Sequence, residues 1–261
     1  MTSNGIANME EPWVRDALAS KYKERGRELP RAVVRGDCLE RLPLRKEAML
    51  KLPPGVSPGF GGLRNEHLAI LGEVWTEEEL QVFEEFCLHY LHGSLQPWFY
   101  TVWGSVTTVP LFKTVEQDAL RPVGVKSSLI RVLHKEVVRV NRAPLTSYLE
   151  PQQLALTEAG GFILVHSVRM MAEEMRGKLD WVVVKLDIAN AHNEVSRKAI
   201  LEVLESVPEL RHLAQHVGTC LAGHQGLEAG GKLWGRGGEG ESQGDPEASP
   251  LFCVAWHPEA A

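Results

Sequence analysis

The chain has 261 residues, 44% of them hydrophobic and 24% charged, so a folded core is expected, organised as one large domain or two small ones. A net charge of −6 excludes nucleic-acid binding driven by a positive total and leaves only local basic faces for that purpose. No apolar run approaches the ~20 residues of a membrane span. The opening MTSNGIANMEEPW has no basic segment followed by an apolar one, as a secretory signal would. Cys38, Cys87, Cys220 and Cys253 form no CxxC pair. The expectation is an intracellular chain, nuclear or cytoplasmic, with free thiols and no membrane partner.

Residues 11–28 are predicted helical, with Trp13, Ala17 and Tyr22 on one apolar face and Gly26 as the stop. Residues 37–50 are a second predicted helix. From Arg15 to Lys51 there are eleven bases against six acids. Residues 1–50 are therefore an N-terminal helical extension whose charged face is either solvated or in contact with nucleic acid. The dense Pro and Gly of KLPPGVSPGFGG make a loop at a domain boundary, which leaves 51–261 as the main domain.

Thr76 with Glu79 is a capping-box pattern. It predicts a helix to about His92, stopped by Gly93, with Leu80, Phe83, Cys87 and Leu91 on its inner side. Thr107–Phe112 (TTVPLF) is a strand candidate, and Pro110 argues for an edge position. Lys113 follows it, and Leu120-Arg121-Pro122-Val123 comes soon after. From Lys113 to Arg142 seven bases face three acids, including Arg131, Lys135 and Arg139 four apart on one helix face. These are solvated surface cations or a phosphate track. The helix predicted over 128–141 turns Leu129, Val132, Leu133, Val137 and Val140 inward. A helix over 163–176 lines up Leu164, Val168, Met171 and Met175 as core filler.

Trp181–Arg197 reads WVVVKLDIANAHNEVSR. The β-branched run Val182–Val184 predicts a short buried strand, and Asp187 stands where it ends. A carboxylate in that position either caps the next helix or is held rigidly toward a cleft. Ser196 caps a further helix carrying Ile200, Leu201 and Leu204, and Ser206 with Glu209 is a second capping box. Gly223 to Gly244 holds nine glycines, which composition alone would assign to a linker, with Lys232-Leu233-Trp234 as a strand remnant. Among ten histidines no two have a convincing zinc spacing; His89 and His92 lack a third ligand. There is no GxxxxGK[ST] loop and no GxSxG elbow.

Four pieces occur in one order: Ser57-Pro58-Gly59 with Glu66-His67-Leu68, then Lys113 with Arg121-Pro122, then Asp187 at the end of its strand, then Gln243-Gly244-Asp245-Pro246 with Ser249-Pro250. In that order they resemble the reverse transcriptase domain of non-LTR retrotransposons, over roughly Ser57 to Phe252. The resemblance implies an α+β, helix-rich chain forming part of a right-hand polymerase fold, the fingers and the first part of the palm. It implies RNA-templated DNA synthesis by two-metal nucleotidyl transfer in the complete protein, with magnesium as cofactor. The partners would be an RNA template, a DNA primer and deoxynucleoside triphosphates.

The residue roles follow from the same resemblance. Asp187, with the backbone carbonyl of Ile188, would hold metal. Lys113 and Arg121 would hold the nucleotide's phosphates, and His192 would lie under its sugar where the family carries Phe or Tyr. Gln243 and Gly244 would form the floor near the nascent base pair. The family's next motif, an aromatic-x-Asp-Asp hairpin, has no counterpart, since no Asp-Asp pair occurs. The expectation is a truncated domain without thumb or second catalytic carboxylates, inactive by itself. The other expectation is a non-catalytic remnant that binds nucleic acid weakly or serves as an interaction module.

Overall fold

A computed structural model describes residues 5–22, 46–178 and 180–260. The helices among them are α1 (Pro12–Ala19), α2 (Lys46–Leu50), α3 (Asn65–Val74), α4 (Glu77–Leu91), α5 (Pro97–Trp103), α6 (Ser128–Val140), α7 (Arg142–Leu149), α8 (Gly160–Glu174), α9 (Ala191–Glu194), α10 (Arg197–Ser206), α11 (Ala214–Leu221) and α12 (Ala248–Ala260). The strands are β1 (Val106–Phe112), β2 (Leu120–Val125), β3 (Gln225–Ala229) and β4 (Lys232–Gly237). The class is α+β, with one small mixed sheet. No helix of the described residues is long and apolar enough to cross a membrane.

The main core is helical. Leu80, Tyr90 and Leu91 of α4 meet Ile130, Leu133 and Val137 of α6, Ile200 and Leu204 of α10, Val217 and Leu221 of α11, and Leu251 and Val254 of α12. α4 starts where the Thr76 pattern predicts: Thr76 Oγ1 accepts from the Glu79 amide at 3.3 Å, and the Glu79 carboxylate accepts from the Thr76 amide at 2.8 Å. Two otherwise orphaned backbone donors are thereby satisfied. Ser196 caps α10 by accepting from the Ala199 amide at 3.2 Å. The second capping box does not form: Ser206 closes α10, and a 3₁₀ turn over Arg211–Leu213 leads into α11.

The sheet runs β2-β1-β3-β4. β1 pairs antiparallel with β2 (Leu111 opposite Arg121) and parallel with β3 at Val106 and Thr107. Pro110 is therefore not on an edge strand. It is tolerated because it faces Pro122 on β2, while the β3 pairing has already ended at Thr107. The glycine-rich stretch is a hairpin: Gly230 and Gly231 both take positive φ (58° and 79°), as a two-residue turn matched to strand twist requires.

The first helix is shorter than predicted, and its buried face is Val14 and Leu18 against Leu120, with Trp13 exposed. The predicted continuation past Tyr22, Gly26 included, and most of the second predicted helix lie outside the described residues; its end is α2.

Two corrections concern the middle of the chain. Val182–Val184 is neither a strand nor buried: Val182 and Val183 are each 81% exposed, and the segment joins no sheet. β-propensity reflects fit to a pleated surface with neighbours on it, and no strand of the described residues pairs here. α8 forms, but its supposed inner side is exposed at Leu164, Val168 and Met171. A helix takes its burial from what packs on it, and among the described residues nothing covers this face. Val140, at the end of α6, also faces outward.

Candidate functional site

The β1–β2 hairpin and residues 187–193 enclose a cleft of about 370 Å3, lined by Lys113, Arg121, Asp187, Ile188, His192 and Gln243 together with Lys21, Leu120, Pro122 and Asn190. That volume lies in the range of small-molecule sites, ~300–1,000 Å3. Of the residues named from the resemblance, six line this one cleft and Gly244 does not. Lys113 follows β1, its amide bonded to the Ala119 carbonyl at 2.8 Å, and Arg121 is the second residue of β2. The antiparallel register thus brings both cations to the hairpin's tip.

Asp187 and Ile188 enter from the irregular segment before α9, so Asp187 is carried on exposed backbone and not on a buried strand. The Asn190 side chain ties this wall to the N-terminal segment, donating to the Lys21 carbonyl at 2.8 Å. His192 is half-buried, edge-on to Phe252 at 5.6 Å between ring centroids, and burial lowers its pKa.

The turn after the glycine-rich hairpin separates the cleft from a second, buried region. Gln243 is exposed on the cleft side. Gly244 lies against β2 so closely that a Cβ would sit 2.4 Å from the Gly124 carbonyl oxygen. Asp245 then turns inward, where its carboxylate pairs with the Lys126 ammonium and accepts from His134 Nδ1 at 2.8 Å. The same nitrogen lies 3.3 Å from Glu247, whose other oxygen is 3.0 Å from His216 Nε2. Glu241 is 3.8 Å from Lys126. On the far side of the two rings, Tyr90 OH lies 3.1 Å from His134 Nε2 and 3.4 Å from Cys220 Sγ, and Cys220 Sγ lies 3.8 Å from His216 Nδ1. Arg197, also buried, donates to the carbonyls of Gly240, Leu221 and Gly223 beside them.

Burial and charge compete throughout this cluster. Burial disfavours the His134 imidazolium, but Asp245 and Glu247 outweigh it and raise the pKa to about 10. His216 is raised in the same way against burial, by Cys220 and Glu247. Burial raises Cys220, yet His216 beside it prevails and brings the thiol down to about 6. Glu241 goes the other way: burial dominates the help from Lys126 and lifts it to about 7.

Nothing in the spacing of residues 90, 134, 216, 220, 245 and 247 announces this cluster. The one local sign is His216 and Cys220, four apart on one helical face. The proposed phosphate track also loses members to internal partners. Lys126 is in the buried cluster, Arg131 donates to the Ser57 carbonyl at 2.6 Å, and Arg139 pairs with Glu136 at 2.8 Å. No protein-family model matches the chain, and no curated protein matches it significantly.

Proposed function

We propose that the cleft binds the triphosphate of a deoxynucleotide, as the nucleotide site of a retrotransposon-type reverse transcriptase whose complete form copies an RNA template from a DNA primer. The supporting observation is that Lys113, Arg121, Asp187, Ile188, His192 and Gln243, drawn from three separate motifs, line a single cleft. Lys113 and Arg121 neutralise phosphate oxygens, and the Arg121 guanidinium can hold two at once. His192 lies on the same wall as Asp187, within reach of a sugar whose phosphates occupy the hairpin tip. Gln243 offers an amide to the base.

The donor set suits magnesium carried by the nucleotide. Such an ion takes hard oxygen ligands and is held by one or two carboxylates together with substrate phosphates. Asp187 and the Ile188 carbonyl would hold it, and when bound it would add positive charge at the phosphates. Among the described residues lining the cleft, Asp187 is the one carboxylate. A second ion, the one that activates a primer hydroxyl in two-metal transfer, finds no protein carboxylate there. On this reading the chain by itself binds nucleotide and does not extend a primer.

The exposed backbone around Asp187, which joins no strand among the described residues, favours a second reading, a non-catalytic remnant, because a reacting carboxylate needs a rigid support. Titration with a fluorescent deoxynucleoside triphosphate and magnesium tests the nucleotide site. Arg121→Ala is expected to weaken binding about 10- to 150-fold, the worth of a charge-assisted contact of ~1.5–3 kcal/mol, and to flatten its salt dependence. Unchanged binding in Arg121→Ala sinks the nucleotide site. Primer extension that disappears in Asp187→Ala shows instead that the chain completes its own metal site.

A further inference from the structure

We propose that Cys220, His134 and His216 bind one borderline-soft divalent ion, zinc by preference, at the buried junction of α4, α6 and α11, with the Tyr90 hydroxyl at the fourth position. One donor atom from each of the three residues lies within 4.8 Å of the other two. In a tetrahedral zinc site with bonds of about 2.3 Å to sulfur and 2.0–2.1 Å to nitrogen, ligand sulfur and nitrogen stand about 3.6 Å apart. Cys220 Sγ and His216 Nδ1 are 3.8 Å apart, and Tyr90 OH is 3.4 Å from the sulfur. The sulfur thus stands at close to metal-ligand spacing from both, and Tyr90 OH lies 3.1 Å from His134 Nε2.

The second observation is the far side of each ring. His134 turns Nδ1 to the Asp245 carboxylate, and His216 turns Nε2 to Glu247. A histidine that ligates a metal through one nitrogen characteristically gives its other N–H to a buried carboxylate, which fixes the tautomer and strengthens the ligand. Here both histidines have that partner, and both have the remaining nitrogen on the Cys220–Tyr90 side.

A competing arrangement, His134 with Asp245 and Glu247, also groups three donors. It is disfavoured because the Lys126 ammonium already occupies the Asp245 carboxylate and would repel a cation there. The preferred site has donors of the kind zinc takes and magnesium avoids. Its three Cys and His ligands are buried in the core, with Tyr90 rather than a substrate path over the fourth position, so the role would be structural. It would join three core helices and, through Asp245 and Glu247, the turn that forms the floor of the cleft. It stands independently of the nucleotide reading.

The test uses the whole chain, stripped with a chelator and reloaded with cobalt(II) or zinc. One ion per chain should survive gel filtration and raise the thermal midpoint. The cobalt form should show a thiolate-to-metal charge-transfer band, which Cys220→Ser removes and which Cys87→Ser and Cys253→Ser retain. X-ray absorption on the wild-type zinc form gives a readout that needs no variant: one sulfur and two imidazole scatterers are expected. No retained ion, a charge-transfer band that persists in Cys220→Ser, or an absorption spectrum with oxygen and nitrogen scatterers alone would overturn the proposal.

Discussion

Asp187 and Asp245 belong to two of the four motifs that carry the polymerase resemblance, and the molecule treats their surroundings in opposite ways. Around Asp245 nearly every polar atom has a partner inside the core: Lys126, His134, His216, Glu241 and Glu247 are all buried with it. Around Asp187 the backbone is irregular, and the apolar side chains that should have carried it are exposed, Leu186 at 80% and Val183 at 81%. The difference teaches that a strand-like sequence acquires structure only where neighbours exist to pair with it. Ion pairs at the α6–α11 junction organise their region because each charge has its counter-charge within reach.

The comparison can be broken most directly by removing each carboxylate. Asp245→Ala removes the carboxylate that Lys126 and His134 share, leaving them buried with only the more distant Glu241 and Glu247, and should lower the unfolding free energy by about 3–5 kcal/mol in urea denaturation. A loss below ~1 kcal/mol would mean that water reaches the cluster and that it is not a closed ionic core. Next in size is Gly244→Ala. Its Cβ would meet the Gly124 carbonyl, so hairpin and turn must shift, at a cost of about 1–3 kcal/mol on the same measurement. That variant should also disturb nucleotide binding, because Gln243 precedes it in the cleft.

Thr76→Ala, at the start of α4, removes the side-chain cap and should cost about 1 kcal/mol, which calibrates an ordinary local contact against the buried cluster. The smallest effects belong to the other region. Asp187→Ala, Leu164→Glu and Val183→Glu should each change stability by no more than about 0.5 kcal/mol, and the two glutamates should raise solubility. A destabilisation of Val183→Glu comparable to that of Asp245→Ala would show that the segment is packed in solution and that the two regions do not differ.

Local chemistry made a good part of this fold legible. The Thr76–Glu79 reciprocity, the Ser196 cap, the β1 run and the 3.6-residue spacing over α6 and α10 each depend on residues a few positions apart. The Lys113–Arg121 pairing came from the resemblance; the residues alone read as surface cations, and the β1–β2 register brings the two together. Where the reading failed, the deciding partner was distant or absent. Pro110 was placed on an edge because the rule concerns its missing N–H, whereas Pro122 opposite makes the interior position acceptable. Met171 and Leu164 were placed in a core because helical periodicity says which residues share a face, and not what that face meets.

By itself the sequence determined where α4, α6 and α10 begin and which residues share a face of each, since these follow from backbone sterics and short-range hydrogen bonding. Only the tertiary structure decided that Lys126 is a buried counter-ion and not a phosphate contact, that Asp245 is shared between a lysine and a histidine, and that Tyr90, His134, His216 and Cys220 converge. Charge pairing in a low-dielectric interior depends on distances of 3–4 Å between residues far apart in the chain, and packing alone sets those distances.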